Sequence, residues 1–293
     1  MKSAVPRVTV GVPFFNEERR LASAVRSVLA QTETDIEVLL IDDGSTDGSL
    51  EIARSFRDPR VTVLSDGARR HLPARLNEIV RRARSQLVAR MDADDVSHPE
   101  RLERELGLID EDQRCDAVGT WAGLVDDDDA VFAVVEAAAQ PASREVALTG
   151  GFIPHATLLA RRGWLVANPY DEALTRAEDR DLWCRTAGTS RFAVVEQPLY
   201  VVRISANDDR FLVDYVEAQR QNRALMVRYG PTTLGAVEAT RSWLVSHAKT
   251  LVMRAAVRAG LGPKLVRRRG RAPTASERTL IEQALAGADP YCP

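Results

Sequence analysis

Three segments rich in carboxylates and other polar groups directly follow predicted strands in the first hundred residues. They are Pro13–Glu17 after Val8–Val12, Asp42–Asp43 after Glu37–Ile41, and Asp92–Asp95 after Leu87–Met91. Ligands of parallel α/β sheets bind beyond the carboxyl ends of the strands, where such segments meet. We therefore expect the three segments to form one ligand site.

The triplet Asp92-Ala93-Asp94 places two carboxylates two residues apart at the end of a strand. Carboxylate oxygens are the ligands that Mg²⁺ and Mn²⁺ prefer, and an ion held there would bridge a diphosphate. The alternative is an acidic turn that caps the next helix. The triplet alone does not decide between a metal site and a cap.

Two further acidic pairs are open to a structural and a functional interpretation. Asp42-Asp43 precedes Gly44-Ser45, which is typical of a turn and helix cap, although one carboxylate would also suit the N–H of a nucleotide base. Glu178-Asp179 begins a predicted helix, where the helix dipole favours acidic residues. The same pair would serve as a general base if it faced an acceptor hydroxyl.

The elements that position these residues alternate between strand and helix. Apolar spacing predicts helices over Glu17–Leu29, through Ile52 and Phe56, and over Ala74–Arg84, with a third strand at Val61–Leu64. Pro13 is expected to end the first strand. This alternation of strands and helices predicts right-handed βαβ units. Such units form a Rossmann-like, mainly parallel sheet with helices on both faces.

The pattern is less regular after Pro99. In chain order we expect a helix over 101–109, a hairpin over 117–135 around the acidic turn Asp126–Asp129, a strand over 152–161, a helix over 178–185, a strand pair over 193–204, a helix over 211–228 broken by Pro231, and a helix over 237–259. We place the catalytic domain at 1–207 and a helical, basic extension at 208–293.

Composition narrows the class of protein. The chain has 293 residues, 45% of them hydrophobic, and three cysteines without zinc-type or disulfide-type spacing. We expect no signal peptide and no membrane span, because no apolar run reaches the length that a span needs. These features predict a cytoplasmic protein.

Charge is unevenly distributed along the chain. Residues 1–240 hold 30 Lys/Arg against 39 Asp/Glu, whereas 241–271 hold nine Lys/Arg and no Asp/Glu. Leu244, Ala248, Leu251, Val252 and Ala255 recur there at helical spacing. This segment is either a helix packed on the body with a solvated basic end, or a peripheral contact with anionic lipid at the inner face of the plasma membrane. No nucleic-acid-binding motif accompanies the charge.

Four motifs together resemble family 2 glycosyltransferases. They are Val10-Gly-Val-Pro-Phe-Phe-Asn-Glu17, Ile41-Asp-Asp-Gly-Ser-Thr-Asp-Gly-Ser49, Arg90-Met-Asp-Ala-Asp-Asp95, and Glu178-Asp179 with Asp181-Leu-Trp183. The resemblance covers residues 6–205. It implies an inverting, metal-dependent enzyme of the GT-A fold that acts in polysaccharide biosynthesis and transfers a sugar from a UDP-, GDP- or dTDP-linked donor to a glycan or lipid-linked acceptor.

The resemblance also implies a role for individual residues. Asp179 matches the catalytic base with Glu178 beside it, and Asp92 and Asp94 match the metal-binding Asp-x-Asp pair, with Asp94 as the direct ligand of Mg²⁺ or Mn²⁺. The implied donor-binding residues are Pro13, Phe14, Phe15, Asn16, Glu17, Asp42, Asp43, Arg75, Asp92, Ala93 and His155.

One position departs from the family pattern. Ser205 stands where many members have a histidine that completes the metal or diphosphate site. A hydroxyl is a poorer ligand, so water or Arg203 would have to substitute, or the metal would bind weakly. Ser205 therefore keeps open a non-catalytic nucleotide-sugar-binding or scaffold protein derived from the family. A second alternative is a metal-dependent nucleotidyltransferase, which would use the same kind of metal-bound diphosphate.

Overall fold

The computed structural model describes residues 5–138, 143–150, 152–204, 209–259, 261 and 270–288, with backbone only for 209–211. The strands in this part of the chain are β1 Val8–Phe14, β2 Ile36–Asp42, β3 Val61–Ser65, β4 Leu87–Arg90, β5 Val96–Ser97, β6 Ala117–Val125, β7 Val131–Val135, β8 Leu159–Arg161 and β9 Phe192–Arg203. The helices are α1 Leu21–Leu29, α2 Ser49–Ser55, α3 His71–Arg82, α4 Arg101–Glu111, α5 Arg144–Thr149, α6 Arg162–Ala167, α7 Glu178–Thr186, α8 Asp209–Thr233, α9 Ala236–Arg258 and α10 Ala275–Gly287. His155–Thr157 form a 3₁₀ turn.

All described strands belong to one mixed sheet. Its order is β3-β2-β1-β4-β8-β6-β9-β5, with β7 paired to β6. The pairs β1–β2, β1–β4, β2–β3 and β6–β9 are parallel, and the pairs made by β8, β5 and β7 are antiparallel. The expected parallel βαβ half is therefore confirmed, and the antiparallel strands lie beyond β4.

The strands β1, β2 and β4 are buried along their whole length because helices cover both faces. Neighbouring residues of β4 alternate between two apolar clusters: Val88 packs with α3 and α7, whereas Leu87 packs with α1 and α4. The helix α3 lies directly on the strand backbone, since a Cβ at Gly11 would come within 2.4 Å of Ile79.

Two expectations about proline are wrong. The strand β1 continues through Pro13, because beyond Gly11 it pairs with β2 alone and a missing N–H on its other side breaks no ladder. Pro231 lies inside α8. It occupies the last turn, and the residue four before it, Val227, is 66% exposed, so water can solvate the carbonyl that proline leaves without an N–H partner.

Three boundaries also differ from expectation. The helix α1 begins at Leu21 rather than Glu17, because the preceding residues form a turn that bonds to the loop after β2. The strand expected over 152–161 is reduced to β8 by the 3₁₀ turn before it. Residues 193–204 form no strand pair: β9 is one strand that pairs with β6 on both sides of an irregularity and with β5 at its end.

The C-terminal helices pack in two places. The helix α8 lies against α5 and α7, and α9 packs on α8. The helix α10 returns to the sheet, where Ile281 and Ala284 are buried against Val96, Val125 and Val201. Among the described helices, none combines the length and apolar character needed to cross a bilayer.

Candidate active site

The loops after β1 and β2 are joined by a series of hydrogen bonds. Asn16 adopts a left-handed backbone conformation (φ 56°), its side-chain oxygen accepts from the Thr46 N–H at 2.8 Å, and its own N–H donates to Ser45 Oγ at 3.1 Å. The Glu17 N–H donates to Ser49 Oγ at 2.7 Å. The first two predicted site segments are therefore brought together.

Asp43 anchors the start of α3. Its carboxylate accepts from the Arg70 N–H at 2.7 Å, the His71 N–H at 3.1 Å and Arg75 Nε at 3.0 Å. The Arg75 side chain is 1% exposed and also pairs with Asp66 at 2.7 Å. Asp43 and Arg75 thus form one buried ion pair at the sheet edge.

The neighbouring residues of the first two segments face different surroundings. Asp42 is buried and accepts from the Ser45 N–H at 2.9 Å and from Ser65 Oγ at 2.8 Å, so it holds the turn. Phe14 lies in the apolar core. Phe15 is half-buried, and the Arg69 guanidinium lies 3.2 Å from its ring centroid, which is a cation–π contact.

Three carboxylates gather at the end of β4. Asp92, Asp94 and Asp95 each offer an oxygen within 4.8 Å of the others. Burial, and secondly the charge of Asp92, raise the pKa of Asp94 to about 6, and burial with the charge of Asp94 raises the pKa of Asp95. Accumulated negative charge on hard oxygen ligands is what a divalent cation stabilises, so the residues fit Mg²⁺ or Mn²⁺.

The three carboxylates have different roles in this group. Asp95 is 2% exposed and accepts from the Arg203 N–H at 3.0 Å, so it ties the loop to β9. Both oxygens of Asp92 accept from Arg90, at 3.0 Å and 2.7 Å. Asp94 is half-buried, and no side chain in the described part of the chain donates a hydrogen bond to its carboxylate, which leaves Asp94 the most available to a ligand.

Arg203 connects this loop to the acidic hairpin turn. Its Nε donates to Asp129 at 2.8 Å and its Nη1 to the Asp94 carbonyl at 3.2 Å. Arg203 therefore links the acidic hairpin turn to the loop that carries Asp94. Ser205 lies outside the described residues.

A second group lies around the first turn of α7. His155 Nε2 is 2.8 Å from the Tyr170 hydroxyl, and His155 Nδ1 is 3.6 Å from Glu178 Oε1. Burial, and then the charge of Arg90, lower the pKa of His155 to about 3, so the imidazole is neutral at pH 7. Burial raises the pKa of Glu178.

Asp179 differs from Glu178 in its exposure. Glu178 is 6% exposed, whereas Asp179 is only half-buried, with one oxygen accepting from the Arg180 N–H at 2.6 Å. Ala177, just before the helix, adopts a left-handed conformation (φ 69°) that is unfavourable for alanine. This backbone sets the direction in which the two carboxylates leave the helix.

Arg90 lies between the two groups. It binds Asp92, and its charge also acts on Glu178 and His155. Its own Nε–H is buried without a partner among the described residues. The pattern of the sequence did not single out Arg90, although a charged residue at the end of an apolar strand is an unusual placement that signals it. Two tyrosines of the site, Tyr170 and Tyr200, have no comparable signal in the sequence. The Tyr200 hydroxyl accepts from the Asp92 N–H at 3.0 Å.

Comparison with known proteins identifies the family. The model of the family described as "Glycosyl transferase family 2" matches residues 9–130. EpsE of Bacillus subtilis (strain 168), which is named as a glycosyltransferase, is 31% identical over 188 residues. That alignment covers 61% of this chain and 66% of EpsE, so the chain spans about two thirds of that relative.

Two solved structures share the fold. TarS 1-349 of S. aureus, solved with UDP-GlcNAc, has a TM-score of 0.60 at 17% identity and aligns over 97% of this chain and 91% of its own. The mannosyltransferase PcManGT of Pyrobaculum calidifontis, solved with GDP-Man and Mn²⁺, has a TM-score of 0.58 at 17% identity and aligns over 98% and 87%. The chain belongs to glycosyl transferase family 2 and is a glycosyltransferase of the GT-A fold.

Proposed function

We propose that this protein transfers a sugar from a nucleoside diphosphate sugar to an acceptor hydroxyl with inversion at the anomeric carbon. The observation that carries the proposal is the arrangement around Arg90, with the carboxylate group of Asp92 and Asp94 on one side and Glu178 on the other. Such an arrangement suits a donor diphosphate beside Asp94 and an acceptor beside the first turn of α7.

The donor site is proposed at the joined loops after β1 and β2. The half-buried residues Phe15, Asn16 and Glu17 line this edge, and the pair of Asp43 and Arg75 stands behind them. Five buried residues are assigned to the same site, where they would hold the lining residues in place: Pro13, Phe14, Asp42, Ala93 and His155. The UDP-GlcNAc and GDP-Man held by the two proteins of similar fold support a nucleoside diphosphate sugar as the donor class.

Asp94 is proposed as the direct ligand of Mg²⁺ or Mn²⁺, with Asp92 beside it. Both oxygens of Asp92 are already bonded to Arg90, which favours Asp94 for direct contact. When bound, the ion supplies positive charge for the diphosphate that leaves. The Mn²⁺ in the PcManGT structure supports this choice of metal. Arg203, which donates to the Asp94 carbonyl, adds a cation to this loop in a sequence that has Ser205 instead of the expected histidine.

Asp179 is proposed as the general base. It accepts the proton of the acceptor hydroxyl while the oxygen attacks the anomeric carbon and the bond to the diphosphate breaks on the opposite face. Glu178 is the weaker candidate, because its 6% exposure leaves it too buried to reach an incoming acceptor freely. Its contact with His155 makes it a support for the helix start.

The acceptor, a glycan or a lipid-linked glycan, and the cytoplasmic location are part of the proposal. So is the division into a catalytic unit over 1–207 and an extension over 208–293, whose boundary lies outside the described residues. The return of α10 to the sheet means that the extension also completes the fold of the catalytic unit.

Calorimetric titration with UDP, GDP and dTDP, each with and without Mn²⁺, tests the proposal. We expect one nucleotide to bind the wild type tightly in the presence of Mn²⁺. In Asp94→Ala, Mn²⁺ should no longer increase the affinity for that nucleotide. Asp128→Ala, in the exposed part of the hairpin turn, is the matched control and should bind as the wild type does. A folded wild-type protein that binds none of the three would contradict the donor assignment and favour a non-catalytic role.

A further inference from the structure

The helix α9 buries only one of its faces. Its buried residues are Ala239, Thr250 and Met253, and the helix packs on α8. The two helices approach closely at Gly230, where a Cβ would come within 2.8 Å of the Ala239 Cβ. Arg223 of α8 donates to Thr250 Oγ1 at 3.1 Å. These contacts fix how α9 is rotated about its own axis.

The opposite face of α9 carries the apolar residues noted in the sequence. At about 100° per residue, Leu244, Ala248, Leu251 and Ala255 form one stripe that points away from the buried face. Leu244 is 56% exposed, Leu251 65% and the adjacent Val252 60%. The expected packing of this helix is made by its other face, where Ala239, Thr250 and Met253 are buried, and among the described residues the stripe takes no part in it.

Basic residues flank the stripe. Arg241, Lys249, Arg254 and Arg258 are all exposed on α9. The one acidic residue of the helix, Glu238, lies in its first turn and pairs with Arg241 at 3.3 Å. The exposed surface thus combines an apolar centre with positive margins.

We propose that this surface, the outer face of α9 (Leu244, Ala248, Leu251, Val252 and Ala255 with Arg254 and Arg258), docks on an anionic lipid surface. Apolar side chains flanked by basic ones are the composition of helices that lie in a membrane interface, where lipid headgroups neutralise the charge. A second copy is a poorer occupant, since a two-fold contact would bring the same arginines towards one another. The inference goes beyond the transfer reaction and does not depend on it.

Co-sedimentation of the full chain with lipid vesicles tests the inference. One set of vesicles is phosphatidylcholine alone, and the other contains about one quarter phosphatidylglycerol. We expect binding to the anionic vesicles and much weaker binding to the neutral ones. Substituting Leu251→Ser with Val252→Ser should weaken the partition about tenfold or more. Substituting Arg254→Ala with Arg258→Ala should weaken it about thirtyfold on anionic vesicles.

Matched controls use exposed residues on other helices. Val166→Ser on α6, where Val166 is 56% exposed, matches the apolar change. Arg54→Ala with Arg57→Ala, around the end of α2, matches the loss of charge. Both controls should bind vesicles as the wild type does, and circular dichroism should show every variant folded.

Two outcomes would overturn the inference. The first is a failure of the vesicle test: either the wild type binds neither kind of vesicle, or the variants of the α9 outer face bind as well as their controls. The other is a wild-type dimer in sedimentation velocity that Leu251→Ser with Val252→Ser dissociates while vesicle binding is absent. That second result would assign the face to another copy of the chain.

Discussion

The guanidinium of Arg90 holds the carboxylate of Asp92 through two hydrogen bonds, from Nη1 at 3.0 Å and from Nη2 at 2.7 Å. Arg90 is 8% exposed, so the pair is shielded on one side while Asp92 itself is half-buried at the sheet edge. This contact orients the first carboxylate of the Asp-x-Asp pair and leaves Asp94 the better placed to meet a metal ion.

Arg90→Lys should weaken metal-dependent nucleotide binding. A lysine ammonium is a point charge that cannot reproduce the paired hydrogen bonds, so Asp92 would lose its fixed orientation. Changes to groups that orient metal ligands typically cost about 10–100-fold in metal affinity. We expect a loss in the lower part of that range, measured by calorimetry with Mn²⁺ and the preferred nucleotide.

Arg60→Lys is the control for this change. Arg60 also binds an aspartate two residues away through two hydrogen bonds, to Asp58 at 3.1 Å and 2.8 Å, but at the start of β3. It should leave nucleotide binding unchanged. Equal binding by Arg90→Lys and wild type would show that Arg90 does not orient Asp92 for the metal.

Asp179→Asn should abolish most transfer and spare donor binding. An amide cannot accept the acceptor proton, and loss of a general base costs about 10²–10⁴ in rate. The nucleotide affinity should stay within about threefold, since no donor contact depends on this proton transfer. The measurement is release of the nucleoside diphosphate, with water or an identified glycan as the acceptor.

Glu178→Gln distinguishes the two carboxylates. We expect a smaller loss of rate than for Asp179→Asn, accompanied by a loss of stability, because Glu178 is buried beside His155. A larger loss of rate for Glu178→Gln, with the protein folded, would move the base to Glu178.

His155 should make folding stability depend on pH below neutrality. Its pKa is about 3 in the folded protein against 6.5 for an ordinary histidine, so the unfolded chain takes up the proton first. The stability it contributes is present above pH 6.5 and is lost as the pH falls towards 3. Between about pH 7 and pH 5 the loss is about 2 kcal/mol.

Urea unfolding of wild type and His155→Gln at pH 7 and pH 5 measures this effect. The glutamine keeps a hydrogen bond for Tyr170 but does not titrate, so the variant should lose about 2 kcal/mol less over the interval. His247→Gln on α9 is the control and should follow the wild type more closely. Parallel pH profiles for wild type and His155→Gln would refute the prediction.

Asp181 joins the helix α7 to the C-terminal helix α8. The carboxylate is 1% exposed and accepts from Arg185 Nε at 2.7 Å and from the Tyr229 hydroxyl at 2.7 Å. Asp181→Asn removes the charge from a buried, bonded position, so unfolding free energy should fall by about 2 kcal/mol.

Thermal and urea unfolding of Asp181→Asn provide the measurement. Asp171→Asn is the control, because Asp171 pairs with Arg228 at 3.8 Å and is 40% exposed, and such pairs contribute less than about 1 kcal/mol. If the two variants were equally stable, Asp181 would not hold α8 in place.

Local pattern in the sequence was enough for the parallel half of the fold. Short apolar runs such as Glu37–Ile41 are consistent with strands that are buried in a sheet. The segments between them have helical spacing, and this alternation leaves few possible topologies. The carboxylates at strand ends were predictable for the same reason, since each follows a strand in the chain. The elements missed, such as α6 and the two-residue strand β5, are too short to carry a period.

Tertiary structure decided which distant groups meet. The contact of Arg203 with Asp129 joins residues 74 apart, and the contact of His155 with Glu178 depends on where α7 lies relative to the 3₁₀ turn of His155–Thr157. It also decided which apolar face of α9 is covered. Both faces of that helix offer apolar residues, so periodicity identifies the stripe at Leu244 and Leu251, but only the position of α8 determines that this stripe stays exposed.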